Sequence, residues 1–592
     1  MTVGATQTVS DRVREKVAES RRYFPNALSE LIYYRTYSRW IDAEGRRETW
    51  VETVERYVQF MRERLGGRLE PKDYAAVREA ILTLKVMPSM RLLWSAGAGA
   101  RATHAAAYNC AYLAPTCVRD LAEVMYLLMC GTGVGFSVES QFTQRLPVVK
   151  PQRGERLPTH RVVDSKEGWC QALELGLNAW YEGRDVAFDH SQVRPPGARL
   201  LTGGGRAPGA APLKALLEHA RTALLAAQGR RLTNLELHDL ICKVGEVVVM
   251  GGVRRSALIS LSDLHDRELR DAKRGHFWRS HPERAMANNS AVYEARPDAL
   301  TFLEEWLALA RSGTGERGLF NRGGLERQLP ERRWPGFRAH HASCGTNPCG
   351  EIVLRSKQFC NLSEAVARPG DGEAELLEKV RIAALIGTWQ STLTEFPYLS
   401  SEWRQNCEEE RLLGVSLTGQ WDCAAARDPG TLERLRTAAV EANRYWAERL
   451  DVAPSAAVTC VKPSGTVSLL VDSASGMHPR FAHRYLRRVR FSAVDPLVEL
   501  LREQGFPLLP EVGQAEGQAT TYVLELPVQA PRGAVVRADL PAKAQLEHWL
   551  EVKQHFTEHN PSVTISVAPH EWISTAAWLY EHWELLGGLS FL

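Results

Sequence analysis

One short stretch, Asn347-Pro-Cys349-Gly-Glu351, constrains this chain more than any other part of it. It places an amide, a thiol and a carboxylate at a spacing of two, and alternate residues of extended backbone point to the same side. Pro348 and Gly350 lie between them, and both residue types disfavour a central strand. We therefore predict an extended loop tip at which another backbone or a ligand comes close. A single Cys is equally well explained by core packing, but the interleaved pattern favours a functional site.

Cysteine usage restricts the chemistry further. The 592 residues include 11 cysteines, and a dispersed, odd set in so large a chain disfavours a structural disulfide framework. The sequence has no Cys-x-x-Cys pair and no Cys/His cluster with zinc spacing, so no metal site is predicted. Cys360 follows Cys349 at the distance of a loop that turns back. If these thiols do chemistry, it is redox or radical chemistry rather than zinc binding.

The composition is that of an ordinary globular chain, with 44% hydrophobic and 24% charged residues. The formal net charge of +3 gives no reason to expect a nucleic acid or a membrane as partner. No apolar run reaches membrane-spanning length, and the N-terminus lacks an apolar signal core. These features predict a cytoplasmic protein.

The pattern of apolar residues predicts two regions. Residues 1–95 are expected to be helical, and Trp50 to Leu65 has apolar side chains at helical intervals. From residue 96 to residue 592 strands and helices alternate, which predicts an α/β fold with a largely parallel sheet. Within this second region, Glu246 to Leu261 is predicted to be rich in β-structure around a Gly-Gly turn.

Three further stretches are candidates for binding phosphate. Gly131 to Gly135 follows a predicted helix, and its alternate glycines let backbone N–H groups approach a ligand, although a tight turn explains them equally well. Pro463 to Thr466 joins a predicted strand to a helix, where an anion binds favourably, although an ordinary helix cap is as good an explanation. Arg194 to Arg206 is a long loop rich in Gly, Pro and Arg, and such loops are often functional.

Several short stretches occur in a specific order from about residue 90 to the end of the sequence. They are Tyr108-Asn-Cys110-Ala, Gly131-Thr-Gly-Val-Gly-Phe-Ser, Arg194 to Arg206, Gly251-Gly-Val-Arg-Arg-Ser, Ala287-Asn-Asn-Ser, Asn347-Pro-Cys-Gly-Glu-Ile, Cys360-Asn-Leu, Pro463-Ser-Gly-Thr-Val-Ser, His478-Pro-Arg and Glu558-His-Asn-Pro-Ser. In this combination the chain resembles ribonucleotide reductase, specifically the adenosylcobalamin-dependent class and its monomeric ribonucleoside-triphosphate reductase type.

The resemblance implies a ten-stranded α/β barrel of two antiparallel halves, each of five parallel strands, around a central finger loop. A helical region at 1–95 would precede a catalytic barrel at 96–592. Cys349 at the finger tip would become a thiyl radical that takes hydrogen from C3′ of the ribose. Cys110 and Cys360 would reduce C2′ and end as a disulfide. Glu351 would act as general base and Asn347 would hydrogen-bond a ribose hydroxyl.

The resemblance also implies ligands. Adenosylcobalamin (coenzyme B12) would initiate the radical, and no sequence motif for it is expected. The substrate would be a ribonucleoside triphosphate, with its phosphates at Ser464, Gly465, Thr466, Gly133 and Gly135. A deoxynucleoside triphosphate effector would act through a specificity loop that includes Pro196, Gly197, Arg199, Gly204 and Arg206, coupling two sites. The product would be a deoxyribonucleotide for DNA synthesis.

One departure from the family pattern leaves alternatives open. Family members continue into a tail with two further cysteines that pass reducing equivalents from thioredoxin or a similar dithiol. This sequence stops at Gly588-Leu-Ser-Phe-Leu592 with no cysteine after Cys460. We therefore expect a truncated chain, a split protein with a separately encoded C-terminal segment, or another reductant. The large subunit of a class I-type ribonucleoside-diphosphate reductase and an inactive nucleotide-binding fragment are the alternatives, and substrate phosphorylation and oligomeric state stay open.

Overall fold

The computed structural model describes residues 11–200, 206–249, 257–493, 495–512, 514–515, 517 and 519–592. The described part of the N-terminal region contains helices at Asp11–Arg21, Ala27–Thr36, Trp50–Leu65 and Pro71–Leu82. The third of these begins with a capping box between Thr49 and Glu52. Its predicted apolar stripe is buried, namely Val54, Tyr57, Val58, Met61 and Leu65.

Five parallel strands form the first half of a barrel. They are β1 (Cys110–Leu113), β2 (Gly133–Ser137), β3 (Leu258–Asp263), β4 (Ala287–Tyr293) and β5 (Gly318–Asn321). Each strand pairs in parallel with the next in chain order. Every residue of β1, β2 and β5 is buried, as expected for a parallel sheet that is covered on both faces.

The second half contains five further strands. They are β6 (Leu362–Val366), β7 (Gly414–Thr418), β8 (Thr459–Cys460), β9 (Thr564–Ile565) and β10 (Gly588–Phe591). Strands β6, β7 and β8 pair in parallel, and so do β9 and β10. A parallel bridge between Val461 and Pro561 joins the end of β8 to the segment that leads into β9.

Two antiparallel contacts close the barrel. Leu319 of β5 pairs with Leu589 of β10. On the other side, the short strand Gln358–Phe359 pairs antiparallel with β1 and then continues into β6. The two five-stranded halves therefore run antiparallel to each other, and the ten strands found in the described residues confirm the predicted α/β fold class.

Helices cover the barrel and connect its strands. Beyond the N-terminal four they are Met90–Ser95, Ala98–Ala102, Val118–Met129, Ser140–Thr143, Lys166–Tyr181, Ala211–Ala226, Asn234–Val249, Arg267–Asp271, Phe277–Ser280, Ala299–Ser312, Leu325–Gln328, Trp334–Phe337, Glu373–Ser391, Ser401–Glu410, Pro429–Leu450, Gly465–Val471, Pro496–Glu503, Ala542–His555 and Trp572–Glu581. Across the described ranges, no helix is both long and apolar enough to span a membrane.

The remaining strands lie outside the barrel wall. Strand Val86–Met87 pairs antiparallel with β6 and so attaches the N-terminal region to the barrel. Strands Arg484–Ser492, Thr521–Gln529 and Leu508–Pro510 form a separate antiparallel sheet. Short two-residue strands occur at Trp40–Ile41, Arg46–Arg47, His160–Arg161, Phe188–Asp189, Gly345–Thr346 and Val353–Leu354.

One local prediction was wrong, and another holds only in part. Residues 246–249 were predicted to be β-structure but form the end of helix Asn234–Val249. Buried apolar residues at Leu240, Val244 and Val247 recur at helical spacing, so Val247 continues a helical face. The following Gly251 to Ser256 lies outside the described residues. Of Gly131 to Gly135, which a tight turn was one way to explain, only Gly131 lies in a turn, and Gly133 begins the buried strand β2.

The glycines of β2 make room for another segment inside the barrel. A Cβ atom at Gly135 would lie 2.0 Å from the carbonyl oxygen of Thr346, and one at Gly133 would lie 3.2 Å from Pro348 Cγ. The stretch 345–354 that carries Pro348 therefore packs directly on the backbone of β2. Glycine is therefore required at these positions for steric reasons, because the barrel interior leaves no room for a side chain.

We predict that Gly135→Ala lowers the free energy of unfolding by about 3 kcal/mol, because the new methyl group overlaps a backbone oxygen that it cannot displace freely. Urea denaturation measures this change. Gly370→Ala is the matched control, since no described atom lies within 4 Å of a Cβ built there, and we expect it to stay within about 0.5 kcal/mol of the parent. Equal stability of the two variants would contradict the steric explanation.

Candidate active site

The predicted loop tip is a hairpin inside the barrel, here called the finger loop (residues 345–354). Its two legs, Gly345–Thr346 and Val353–Leu354, pair antiparallel. The tip is a turn rather than extended backbone, because the N–H of Gly350 donates to the carbonyl of Asn347 at 2.9 Å. Gly350 has a φ of +82°, which favours glycine. The turn leaves Cys349 exposed and buries Asn347 and Glu351.

Two buried arginines hold the legs of the finger loop. Arg322 Nη2 donates to the carbonyl of Cys344 at 2.9 Å, just before the first leg. Arg333 Nη2 donates to the carbonyl of Val353 at 2.9 Å, in the second leg. Each guanidinium is fully buried and forms a bidentate pair with a buried carboxylate. These pairs are Arg322 with Glu139 and Arg333 with Glu410. Paired charges of this kind fix geometry in a dry environment.

The structure brings the three predicted cysteines together. The N–H of Cys360 donates to the carbonyl of Cys110 at 2.9 Å, because their strands pair antiparallel. The Cys110 thiol also contacts the thiols of both Cys349 and Cys360, and none of the three is in a disulfide. Contact with Cys349 lowers the pKa of Cys110, but contact with Cys360 and burial raise it well above its ordinary value. Burial also raises the pKa of Cys360.

The carboxyl group of Glu351 is buried and incompletely paired. In the described part of the chain, neither of its oxygens has a partner in full hydrogen-bond geometry, and neither does Asn347 Nδ2. Burial raises the pKa of Glu351 to about 7, since the charged form is poorly solvated, although the Asn347 side chain and Lys462 act in the opposite direction. Buried polar atoms are normally hydrogen-bonded. The pair can therefore accept a polar ligand, and the carboxyl group can exchange a proton near neutral pH.

Sequence reasoning missed a charged pair beside this carboxyl group. Lys462 Nζ donates to Glu364 at 2.7 Å, and the lysine charge acts on Glu351 and Cys349. Glu364 raises the pKa of Lys462 against the effect of burial. Cys460 is buried nearby on β8, and Glu351 adds to the effect of burial in raising its pKa. A charged residue at the end of the apolar run Val458 to Val461 was the available signal.

The two stretches to which the resemblance assigns the substrate phosphates lie in different surroundings. Ser464 is fully buried, and its hydroxyl has no hydrogen-bond partner among the described residues. It precedes the helix Gly465–Val471, with Gly465 exposed and Thr466 half-buried. Gly133 and Gly135 instead face the finger loop. Phosphate binding at all five positions stays a prediction.

The predicted specificity loop lies at the surface. Its predicted residues are Pro196, Gly197, Arg199, Gly204 and Arg206. Gly204 lies outside the described residues. Arg206 Nη1 donates to the carbonyl of Gly197 at 3.0 Å, and Arg199 forms an ion pair of 2.6 Å with Asp42 in the N-terminal region. These contacts tie the loop to itself and to the N-terminal region, and its role in specificity stays a prediction.

Comparison with known proteins gives a consistent result. The family profile "Ribonucleotide reductase alpha domain" matches residues 9–98. The chain is 26% identical to the adenosylcobalamin-dependent ribonucleoside-triphosphate reductase of Levilactobacillus brevis, over 96% of this chain and 88% of that protein. It is 28% identical to the protein of that name from Euglena gracilis, over 92% of this chain and 76% of that protein.

The solved structures agree in fold. A crystal structure of a B-12 dependent (class II) ribonucleotide reductase matches with a TM-score of 0.80 over 98% of this chain and 93% of that one, at 22% identity. The chain is thus similar to ribonucleotide reductases in sequence and in fold. The class Id ribonucleotide reductase alpha subunit of Actinobacillus ureae matches less well, with a TM-score of 0.57 and 12% identity over 96% of each chain. The fold is therefore nearer to that of the class II reductase than to that of the class Id subunit.

The burial of Glu351 predicts a pH-dependent stability. Because its pKa is raised from an ordinary 4.5 to about 7 in the folded state, its contribution is favourable below pH 4.5 and is lost as the pH rises through 7. Glu351→Gln cannot ionise. We therefore expect its free energy of unfolding, relative to the parent, to increase by about 2 kcal/mol between pH 5 and pH 8. Denaturant titrations at both pH values test this, and parallel behaviour of the two proteins would contradict it.

Proposed function

We propose that this chain reduces ribonucleoside triphosphates to 2′-deoxyribonucleoside triphosphates by a thiyl-radical mechanism that depends on adenosylcobalamin. The observation that carries the proposal is the meeting of three thiols with an unpaired buried carboxyl group at the tip of a finger loop. The relatives described above bear the same activity in their names.

In this mechanism the finger loop acts on the 3′ carbon of the ribose. Cys349, as a thiyl radical, takes the hydrogen atom from C3′ and later returns it. Glu351 accepts the proton of the 3′-OH, for which a pKa near 7 is well matched. The unpaired amide of Asn347 donates a hydrogen bond to a ribose hydroxyl.

The dithiol supplies the reducing equivalents. Cys110 and Cys360 together give up two electrons and two protons as their sulfur–sulfur bond forms. The C2′–O bond breaks, and the hydroxyl leaves as water after gaining one of the protons. The second proton and the two electrons make the new C2′–H bond, so the only net change in the protein is the Cys110–Cys360 disulfide. A dithiol such as thioredoxin then reduces it.

The surroundings of Cys349 suit the approach of a radical-generating group. The thiol is exposed, and no described atom lies within 4 Å of a Cβ built at Gly350. Cys349 and Gly350 would lie against the cofactor. When bound, adenosylcobalamin supplies the unpaired electron that the thiyl radical requires. The chain contributes a thiol that is open on this side and contacts Cys110 on another.

Substrate phosphates would bind at Ser464, Gly465 and Thr466, where the buried Ser464 hydroxyl, which has no partner among the described residues, directly precedes the start of a helix. A deoxynucleoside triphosphate would bind as effector and act through the specificity loop. The second candidate, a class I-type ribonucleoside-diphosphate reductase subunit, shares the three cysteines. The higher TM-score with the class II enzyme favours the cobalamin-dependent reaction.

The first test is deoxynucleotide formation from each ribonucleoside triphosphate with dithiothreitol, with and without adenosylcobalamin. We expect product only with the cofactor, because the proposed reaction takes its radical from adenosylcobalamin. Cys349→Ser should abolish it, since serine cannot replace the thiol in hydrogen-atom transfer. The buried Cys242→Ser, remote from the finger loop in sequence, is the matched control. Product from diphosphates alone, or without cofactor, would overturn the proposal in favour of the second candidate.

The rate of reduction should also depend on pH through Glu351. Since the base must be ionised, we expect activity to fall about tenfold per pH unit below its pKa of about 7 and to level off above it. In Glu351→Gln this acid limb should vanish and the remaining rate should be low at every pH. An unchanged acid limb in that variant would assign the base to another group.

A further inference from the structure

The tip of the finger loop is fastened to one barrel segment by three successive carbonyl groups. The carbonyl of Cys349 accepts a hydrogen bond from the hydroxyl of Ser562 at 2.5 Å. The carbonyl of Gly350 accepts from Asn560 Nδ2 at 3.0 Å, and the carbonyl of Glu351 accepts from the backbone N–H of Asn560 at 3.1 Å. The donors belong to the Glu558 to Ser562 motif, for which the proposed mechanism gives no role.

The donors are themselves fixed by the barrel. Asn560 Nδ2 also donates to the carbonyl of Gly588 in β10 at 3.0 Å, so both of its amide hydrogens are directed at carbonyl oxygens. The N–H of Ser562 donates to the carbonyl of Val461 at the end of β8 at 2.9 Å. Asn560 and Ser562 are both buried. The segment is therefore a rigid support and not a loop that follows the finger.

We propose that Asn560 and Ser562 are positioning residues that set the place of the Cys349 thiol, an inference that rests on the proposed function. The two buried arginines hold only the legs of the finger loop, and the tip contains Gly350, whose backbone is permissive. Hydrogen-atom transfer demands near-contact of the reacting atoms, and a misplacement of about 1 Å can lower a rate by roughly a hundredfold. The hydrogen bonds within the turn fix its shape, and the three hydrogen bonds from residues 560–562 fix its place relative to the barrel wall.

The chemistry of the two side chains makes the proposal specific. Asn560 must be a double donor, because it faces two carbonyl oxygens. Asn560→Asp has the same shape but presents an oxygen to at least one of those carbonyls, so the contact becomes repulsive. Ser562→Ala removes the hydroxyl that donates to the carbonyl of Cys349, whereas Ser562→Thr keeps that hydroxyl.

The experiment measures kcat, KM and thiol accessibility in the full chain. Iodoacetamide labelling followed by mass spectrometry gives the modification rate of Cys349 relative to that of Cys117, the other exposed cysteine in the described residues. Buried Cys170 and Cys242 should stay unlabelled as long as the barrel is folded. Thr564→Ala is the matched control, because Thr564 lies two residues beyond Ser562 and is exposed.

We expect Ser562→Ala and Asn560→Asp to lower kcat by about tenfold to a hundredfold with KM little changed, and to change the Cys349 to Cys117 labelling ratio at least threefold. Ser562→Thr should restore both values, and Thr564→Ala should leave both unchanged. A labelling ratio equal to that of the parent in both variants would overturn the proposal. A fall in kcat and a change in labelling ratio in Thr564→Ala as large as those in Ser562→Ala would also overturn it. Labelling needs no cofactor or substrate, so a chain without reductase activity would overturn the proposed function while this ratio still tested the restraint.

Discussion

Everything at this site depends on holding a polar hairpin inside an apolar barrel. The finger loop brings buried carbonyl groups into a space where water cannot satisfy them, and each unpaired one would be costly. Arg322 and Arg333 donate hydrogen bonds to carbonyl groups at the two legs. Their own buried charges are stable only when they are paired with carboxylates. Glu139 and Glu410 are therefore as much a part of the loop's support as the arginines. The result is a rigid hairpin with its reactive end in the barrel.

Against this background, the groups that lack partners stand out. Glu351, Asn347 and Ser464 each have a buried polar atom that no described residue satisfies, although the surrounding hairpin is well hydrogen-bonded. Buried polar atoms are normally hydrogen-bonded, so these atoms are candidates for pairing with a ligand. The unpaired atoms lie on the finger tip and at the end of β8, and a nucleotide has hydroxyl and phosphate groups to match both. These unpaired atoms lower the stability of the fold at the place where the proposed reaction occurs.

The sequence was sufficient for the elements with strong local patterns. The helix Trp50–Leu65 and the α/β class followed from apolar spacing, and the spacing of Asn347, Cys349 and Glu351 identified the loop that carries the site. The prediction of extended backbone at the tip was wrong, because residues Asn347 to Gly350 form a turn. The contact of Cys110 with Cys360 followed only from the family resemblance, since no local pattern encodes which distant strands pair.

Other features lay beyond sequence reasoning for the same reason. The glycines of β2 suggested a ligand, yet Gly135 is explained by a backbone oxygen of the finger loop about 210 residues away in sequence, a long-range contact of the kind that propensity does not report. Neither Lys462 nor Glu364 belongs to a local sequence pattern that would indicate an ion pair. Their pairing exists only because β6 and β8 both flank β7.

The anchoring of the finger tip by residues 560–562 also sets an order of assembly. The finger loop and all three thiols are synthesised well before β9 and β10, so a nascent chain that ends at β8 has the reactive cysteines but neither the donors for the tip nor a closed barrel. Contacts of such long sequence separation form late, since the loop that they close is long. The thiol to which we assign the radical thus reaches its final position only when the wall around it is complete. A partly made chain cannot hold Cys349 in the geometry of the finished site.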